Sequence, residues 1–117
     1  MRVVFIGTGE IGVPTLRALV DSKEHELVGL VTQPNKPVGR AQRVESPPIK
    51  KAIAEMKMSI LQPERIKASV DEIRALQPDA IVVLAYGQIL PRAVLEIPRV
   101  ACLNLHASLL PRWRGAA

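Results

Sequence analysis

The alternation of unbroken apolar runs with helix-period segments constrains this chain more than any other feature. Val3-Val4-Phe5-Ile6 and Ala80-Ile81-Val82-Val83-Leu84-Ala85 are apolar at every position. A half-solvated strand shows period-2 alternation, so an unbroken short run marks a strand covered on both faces, as in a parallel sheet. Between such runs the period changes. Leu16, Leu19 and Val20 recur at i, i+3, i+4 and predict a helix from about Val13 to Asp21. Leu27–Thr32 reads as a second strand and Gln33–Pro48 as a long loop. A helix opening at Pro47-Pro48 carries Ile49, Ala52, Ile53 and Met56 on its apolar side. Ser59–Leu61 is a brief third strand. Ile66, Val70, Ile73 and Leu76 mark a helix stopped near Pro78; Ala80–Ala85 is a central strand, Pro91–Glu96 a short helix, and Val100–His106 the next strand. Strands alternating with helices imply an α/β chain with a doubly wound, mainly parallel sheet.

Size and composition narrow the classes. At 117 residues the chain is one domain, and one Trp, one Tyr and one Phe leave an aliphatic core. No apolar run approaches the ~20 residues of a membrane helix, so no membrane role is expected. The first strand starts almost at Met1, which leaves no room for a signal peptide. A lone Cys102 in an apolar segment excludes an internal disulfide framework and suits a reducing, cytoplasmic setting. A net charge of +5 favours an anionic partner. The chain ends at Gly115-Ala116-Ala117 without a closing helix or strand, and reads as the amino-terminal part of a longer protein.

Gly7, Gly9 and Gly12 fit G-x-G-x-x-G between a strand and a helix, which raises a dinucleotide site. That site needs an acid at the end of the second strand to hold a ribose, and the sequence there is Val31-Thr32-Gln33. The glycines are expected to serve a tight turn and close helix–strand packing, with no NAD bound. Lys36, Arg40 and Arg43 lie in a stretch with no acid before Glu45. It is either a solvated loop or an arm that meets phosphates with salt-sensitive affinity. His25, between Glu24 and Glu26, is expected at the surface. One Cys and two distant His give no metal cluster.

The chemistry concentrates at two strand ends. Ala80–Ala85 runs into Tyr86-Gly87-Gln88-Ile89-Leu90-Pro91, and Val100–His106 runs into Ser108-Leu109-Leu110-Pro111. Two aliphatic loops closed by proline can wall a flat, mostly apolar slot suited to a planar heterocycle. Asn104 and His106, two apart on a strand, share a face beyond its carboxyl end. An amide donor steadies a developing oxyanion by ~3 kcal/mol, and an imidazole relays a proton. Cys102 lies deeper in the strand and Ser108 has no nearby base in sequence, so direct transfer is expected rather than a covalent intermediate. On these residues alone, Asn104 as a turn former and His106 as a structural histidine remain open.

Asn104-x-His106-x-Ser108-Leu109-Leu110-Pro111-x-x-Arg114-Gly115 resembles the signature of the 10-formyltetrahydrofolate-dependent formyltransferases. Thr32-Gln33-Pro34 with the following Lys-Pro-x-Gly-Arg stretch, Ala85–Pro91, and Pro111–Ala117 are similar to the branch that formylates initiator methionyl-tRNA. The resemblance covers essentially the whole chain. It implies a Rossmann-like domain without a dinucleotide, and 10-formyltetrahydrofolate as formyl donor. Asn104 and His106 would be two members of an Asn-His-Asp set. Ser108, Leu109, Leu110 and Pro111 would line the folate site, and Gln88, Ile89 and Leu90 would border the pterin. Lys36, Arg40 and Arg43 would reach the acceptor stem of the tRNA. The family's catalytic Asp and carboxy-terminal β-barrel would lie downstream, so these 117 residues alone are expected to have little or no activity. The alternatives are formylation of an amino-sugar nucleotide, for which a basic arm is unnecessary, and a non-catalytic dinucleotide-binding module.

Overall fold

A computed structural model of the chain describes residues 1–38, 43–53, 56 and 58–105. Five parallel strands form its centre: β1 (Arg2–Gly7), β2 (Glu26–Val31), β5 (Ser59–Leu61), β6 (Ala80–Leu84) and β7 (Ala101–Leu105). Their spatial order is β5-β2-β1-β6-β7, so the chain winds outward from β1 to one edge and then returns to fill the other side. This is the doubly wound order, with its reversal between β1 and β6.

The unbroken apolar runs are explained by cover on both faces. Val3, Phe5, Leu30, Val82 and Leu84 pack against Leu16 of α1 (Val13–Asp21), Ile49 of α2 (Pro48–Lys51) and Ile53. Val4, Ile6, Val31, Ile81 and Val83 point the other way. They meet Ile73 of α3 (Val70–Ala75), Val94 of α4 (Arg92–Leu95), and Ile66 in a single 3-10 turn, Ile66–Ser69. Each fully buried aliphatic side chain contributes about 1.5–3 kcal/mol, which makes the strand alternation the main determinant of the fold. β7 packs on β6 in register, placing Asn104 opposite Val83 and Leu105 opposite Leu84.

Three expectations are corrected. The Gln33–Pro48 stretch is not patternless, because β3 (Lys36–Val38) and β4 (Arg43–Glu45) pair antiparallel as a separate ribbon. The helix opening at Pro48 ends at Lys51, and Met56, assigned to its apolar side, is exposed. Among the described residues, Ile49 and Ile53 are the buried side chains that anchor that segment, with Ala52 packed beside them. His25 is half-buried rather than fully at the surface, with its backbone amide donating to Ser22 Oγ at 3.2 Å. Among the described residues, no helix is long and apolar enough to cross a membrane.

Candidate functional site

All five central strands run the same way, so their carboxyl ends share one rim. The glycine turn after β1 lies there, and its geometry is that of packing. An added Cβ at Gly7 would fall 2.5 Å from the Leu84 carbonyl oxygen, and one at Gly12 would meet Phe5 Cζ at 3.2 Å. At Gly9 the nearest atom would be an ordinary 3.5 Å away. The amides of Thr8 and Gly9, which a pyrophosphate would need, donate instead to the Ala85 carbonyl at 2.9 and 3.2 Å. Close packing thus gives Gly7 and Gly12 a structural role.

The crevice between β1 and β6 is bridged further. Thr8 Oγ1 donates to the Tyr86 carbonyl at 3.0 Å and accepts the Gln33 amide at 3.3 Å. Gln33 Nε2 donates to the same Tyr86 carbonyl at 3.2 Å. Gln88 Nε2 donates to Gln33 Oε1 at 2.9 Å and to the Glu64 carbonyl at 2.8 Å, while its Oε1 accepts the Ile66 amide at 3.0 Å. The loop after β6 is therefore held from three sides. Ala85 takes a left-handed φ of 55° and Gly87 a φ of 97°. For Ala85 that conformation costs about 1–2 kcal/mol, which the hydrogen bonds to the Ala85 and Tyr86 carbonyls offset.

On the far side of this loop, between β6 and β7, is a cleft of about 500 Å³. That size falls within the ~300–1,000 Å³ of small-molecule sites. Leu90, Leu95 and Leu105 supply its apolar walls, and Asn104 stands at it with Gln88 and Ile89. The structure thus brings Asn104 together with Gln88, Ile89 and Leu90 at one cleft. Their roles differ in kind. Gln88 spends its amide on the protein's own groups, and Ile89 is 95% exposed, a ridge between this cleft and a second one of about 640 Å³. The second cleft is lined by Gln33, Glu64, Arg65, Ile66 and Lys67. Burial pushes the Cys102 thiol up, so it stays protonated at neutral pH and offers no thiolate nucleophile.

Lys36 and Arg43 sit on the β3–β4 ribbon. Lys36 pairs with Glu45 and Arg43 with Val38, so the two cations fall on one face. Both are exposed, and Glu45 is engaged by Lys51 Nζ at 2.8 Å. The root of the ribbon is tied to the rim. Gln62 Nε2 donates to the Gln33 carbonyl and to Asn35 Oδ1, and Gln62 Oε1 accepts from Lys50 Nζ. His106, Ser108, Leu109, Leu110, Pro111 and Arg40 lie outside the described residues. Thr8 and Gln33 are not among the site residues expected from sequence; the missing acid at Gln33 and the Thr32-Gln33-Pro34 stretch of the resemblance are the signals that point to that position. Among the described residues, no group of three His, Cys, Asp or Glu is placed to hold a metal ion.

A doubly wound sheet whose switch crevice is bridged, with an amide-bearing cleft one strand over, defines a Rossmann-like α/β domain. The chain belongs to the formyl transferase family, whose model matches residues 1–117. It is 51% identical over its whole length to a methionyl-tRNA formyltransferase of Geobacter sulfurreducens, and spans 37% of that relative. A methionyl-tRNA formyltransferase of Legionella pneumophila strain Paris is 50% identical over the whole chain, which spans 38% of it. Among solved structures, the phosphoribosylglycinamide formyltransferase from Bacillus halodurans superposes with a TM-score of 0.68 at 17% identity. That alignment covers 95% of this chain and 58% of the other. The structural likeness carries the fold.

Proposed function

We propose that the protein carrying this chain transfers a formyl group from 10-formyltetrahydrofolate to the amino group of initiator methionyl-tRNA in the cytoplasm. The observation that carries the reading is the β6–β7 cleft, in which Asn104 meets an apolar pocket edged by Ile89, Leu90 and Leu95. The whole-length identity to proteins named methionyl-tRNA formyltransferase supports it. A flat bicyclic ring fits an apolar cleft of this volume, with hydrogen-bonding groups at its edges. The donor brings an activated formyl carbon; the remaining steps fall to the chain.

Asn104 donates its side-chain amide to the formyl oxygen as that oxygen gains negative charge. His106, two residues on in sequence, accepts a proton from the attacking amine and returns it to the departing folate nitrogen. One C–N bond forms, one breaks, and the proton changes nitrogen. Ser108, Leu109, Leu110 and Pro111 bind the folate together with Ile89 and Leu90. The ribbon bearing Lys36 and Arg43, with Arg40 between them in sequence, receives the acceptor end of the tRNA. In this reading residues 1–117 supply two of three catalytic groups, and the rest of the catalytic domain follows them.

The direct test is Asn104→Ala in the protein as its gene encodes it. Steady-state kinetics should show kcat lowered by about 10²–10³-fold with KM for tRNA little changed, the size of one lost oxyanion donor. Preserved kcat would remove Asn104 from that role.

A further inference from the structure

In sheets of this strand order, ligands enter the crevice outside the carboxyl ends of the strands where the order reverses. Here that crevice lies between β1 and β6, and three loops are joined across it. Thr8 and Gly9 amides hold the Ala85 carbonyl; Thr8 Oγ1 and Gln33 Nε2 hold the Tyr86 carbonyl. Gln33 is the member that reaches farthest, from the end of β2 across the turn of β1 to the loop after β6. Its other amide atom, Oε1, accepts from Gln88, whose remaining bonds bracket Arg65 through the Glu64 carbonyl and the Ile66 amide. A carboxylate at position 33 would present only acceptors to the Tyr86 carbonyl. A glutamine presents one donor and one acceptor, which matches the two groups it faces.

From this geometry we infer that Gln33 is a positioning residue for the ligand cleft. Its amide closes the switch crevice and fixes the Ala85–Leu90 loop, so that the binding space opens between β6 and β7 beside Asn104. The inference rests on the folate reading for its ligand but not for its geometry. Gly87 is part of the same device. A Cβ there would approach Gln33 Nε2 at 3.1 Å, and the positive φ disfavours any side chain.

The experiment uses Gln33→Leu and Gln33→Glu in the protein as its gene encodes it. One readout is the dissociation constant of tetrahydrofolate by calorimetry. The other is amide hydrogen exchange at Thr8, Gly9 and Ile66, which donate into the loop after β6. Gln33→Leu should weaken tetrahydrofolate about tenfold and speed exchange at these amides by a similar factor, with KM for tRNA within twofold. In Gln33→Glu the ionised carboxyl repels the Tyr86 carbonyl, whereas the protonated carboxyl restores one donor and one acceptor. Tetrahydrofolate affinity of that variant, relative to the parent at each pH, should therefore recover as pH falls. Glu64, Arg65 and Lys67, which line the adjoining cleft with Gln33, are common to both proteins and cancel in the ratio. Unchanged exchange in both variants would overturn the inference, as would a Gln33→Glu affinity deficit that does not narrow with acid. A parent protein that fails to bind tetrahydrofolate, with exchange still accelerated in the variants, would overturn the folate reading and leave the positioning role standing.

Discussion

Single residues at opposite rims of the sheet do different work, and Asp79 shows the structural kind. It sits at the amino-terminal rim, before β6, and ties three strands together. Its Oδ2 accepts the Arg2 amide at 2.8 Å, its Oδ1 accepts Arg99 Nε at 2.9 Å, and its carbonyl receives the Val100 amide. The Arg2 backbone amide, then the Arg99 guanidinium, hold its carboxyl below the usual carboxylate range. The unfolded chain titrates near the ordinary value of about 3.9. Asp79 therefore stabilises the fold at pH above that value, and this contribution is lost as pH falls through the lower native one. Urea midpoints measured between pH 6 and 2.5 should fall toward acid, and Asp79→Asn should be less stable at pH 6 with a shallower acid limb. A variant whose acid limb keeps the parent's slope would show that other carboxylates govern it.

At the scale of elements, the strands and the packing role of the glycines were legible because burial on two faces writes itself into consecutive residues. Val3–Ile6 and Ala80–Leu84 need no knowledge of their neighbours to be read as buried strands. The β3–β4 ribbon was missed for the opposite reason. It is three residues a side, contains Pro37, and exposes Val44, so no apolar period marks it. The glycine turn offers a sharp contrast between positions. Gly7→Ala places a methyl against the Leu84 carbonyl and should cost at least about 2–3 kcal/mol in denaturant unfolding. Gly9 has an extended φ of −75°, and an added Cβ there would make only ordinary contacts, so Gly9→Ala should stay within about 1 kcal/mol. In a dinucleotide site the second glycine would be the one that ligand binding cannot spare; equal destabilisation at both positions would contradict the packing account. For the ribbon, neutralising Lys36, Arg40 and Arg43 to Gln should raise KM for tRNA. It should also flatten the log–log salt dependence by roughly 2, at about 0.7 per phosphate contact with a single strand. An unchanged slope would return the ribbon to the role of a solvated loop.

For the molecule as a whole, the order β5-β2-β1-β6-β7 places the strands that bear the site on one side of β1 and the basic ribbon's root on the other. Of the cleft residues, Gln88, Ile89, Leu90 and Asn104 stand in motifs, whereas Leu95 and Leu105 carry no such mark, and the assembly of the cleft is not legible locally. The bonds that shape the loop join positions 78, 53 and 55 residues apart, and no local pattern records such pairs. Leu103 and Leu105 are exposed on β7, so one face of that strand is uncovered among the described residues. On the proposed reading, which assigns one of three catalytic groups elsewhere, the 117 residues expressed alone should turn over at most a small fraction of the rate of the gene product. Robust turnover by the short chain would refute this. The bridged crevice also bears on the order in which the molecule is built. Thr8 and Gln33 are made long before Tyr86, and their partners reach them only after β6 has inserted beside β1. Such distant parallel pairings are among the slow events of folding. The cleft depends on these distant pairings, and a ligand bound there would act as a fastener on the finished sheet, raising its stability by RT ln(1 + [L]/Kd).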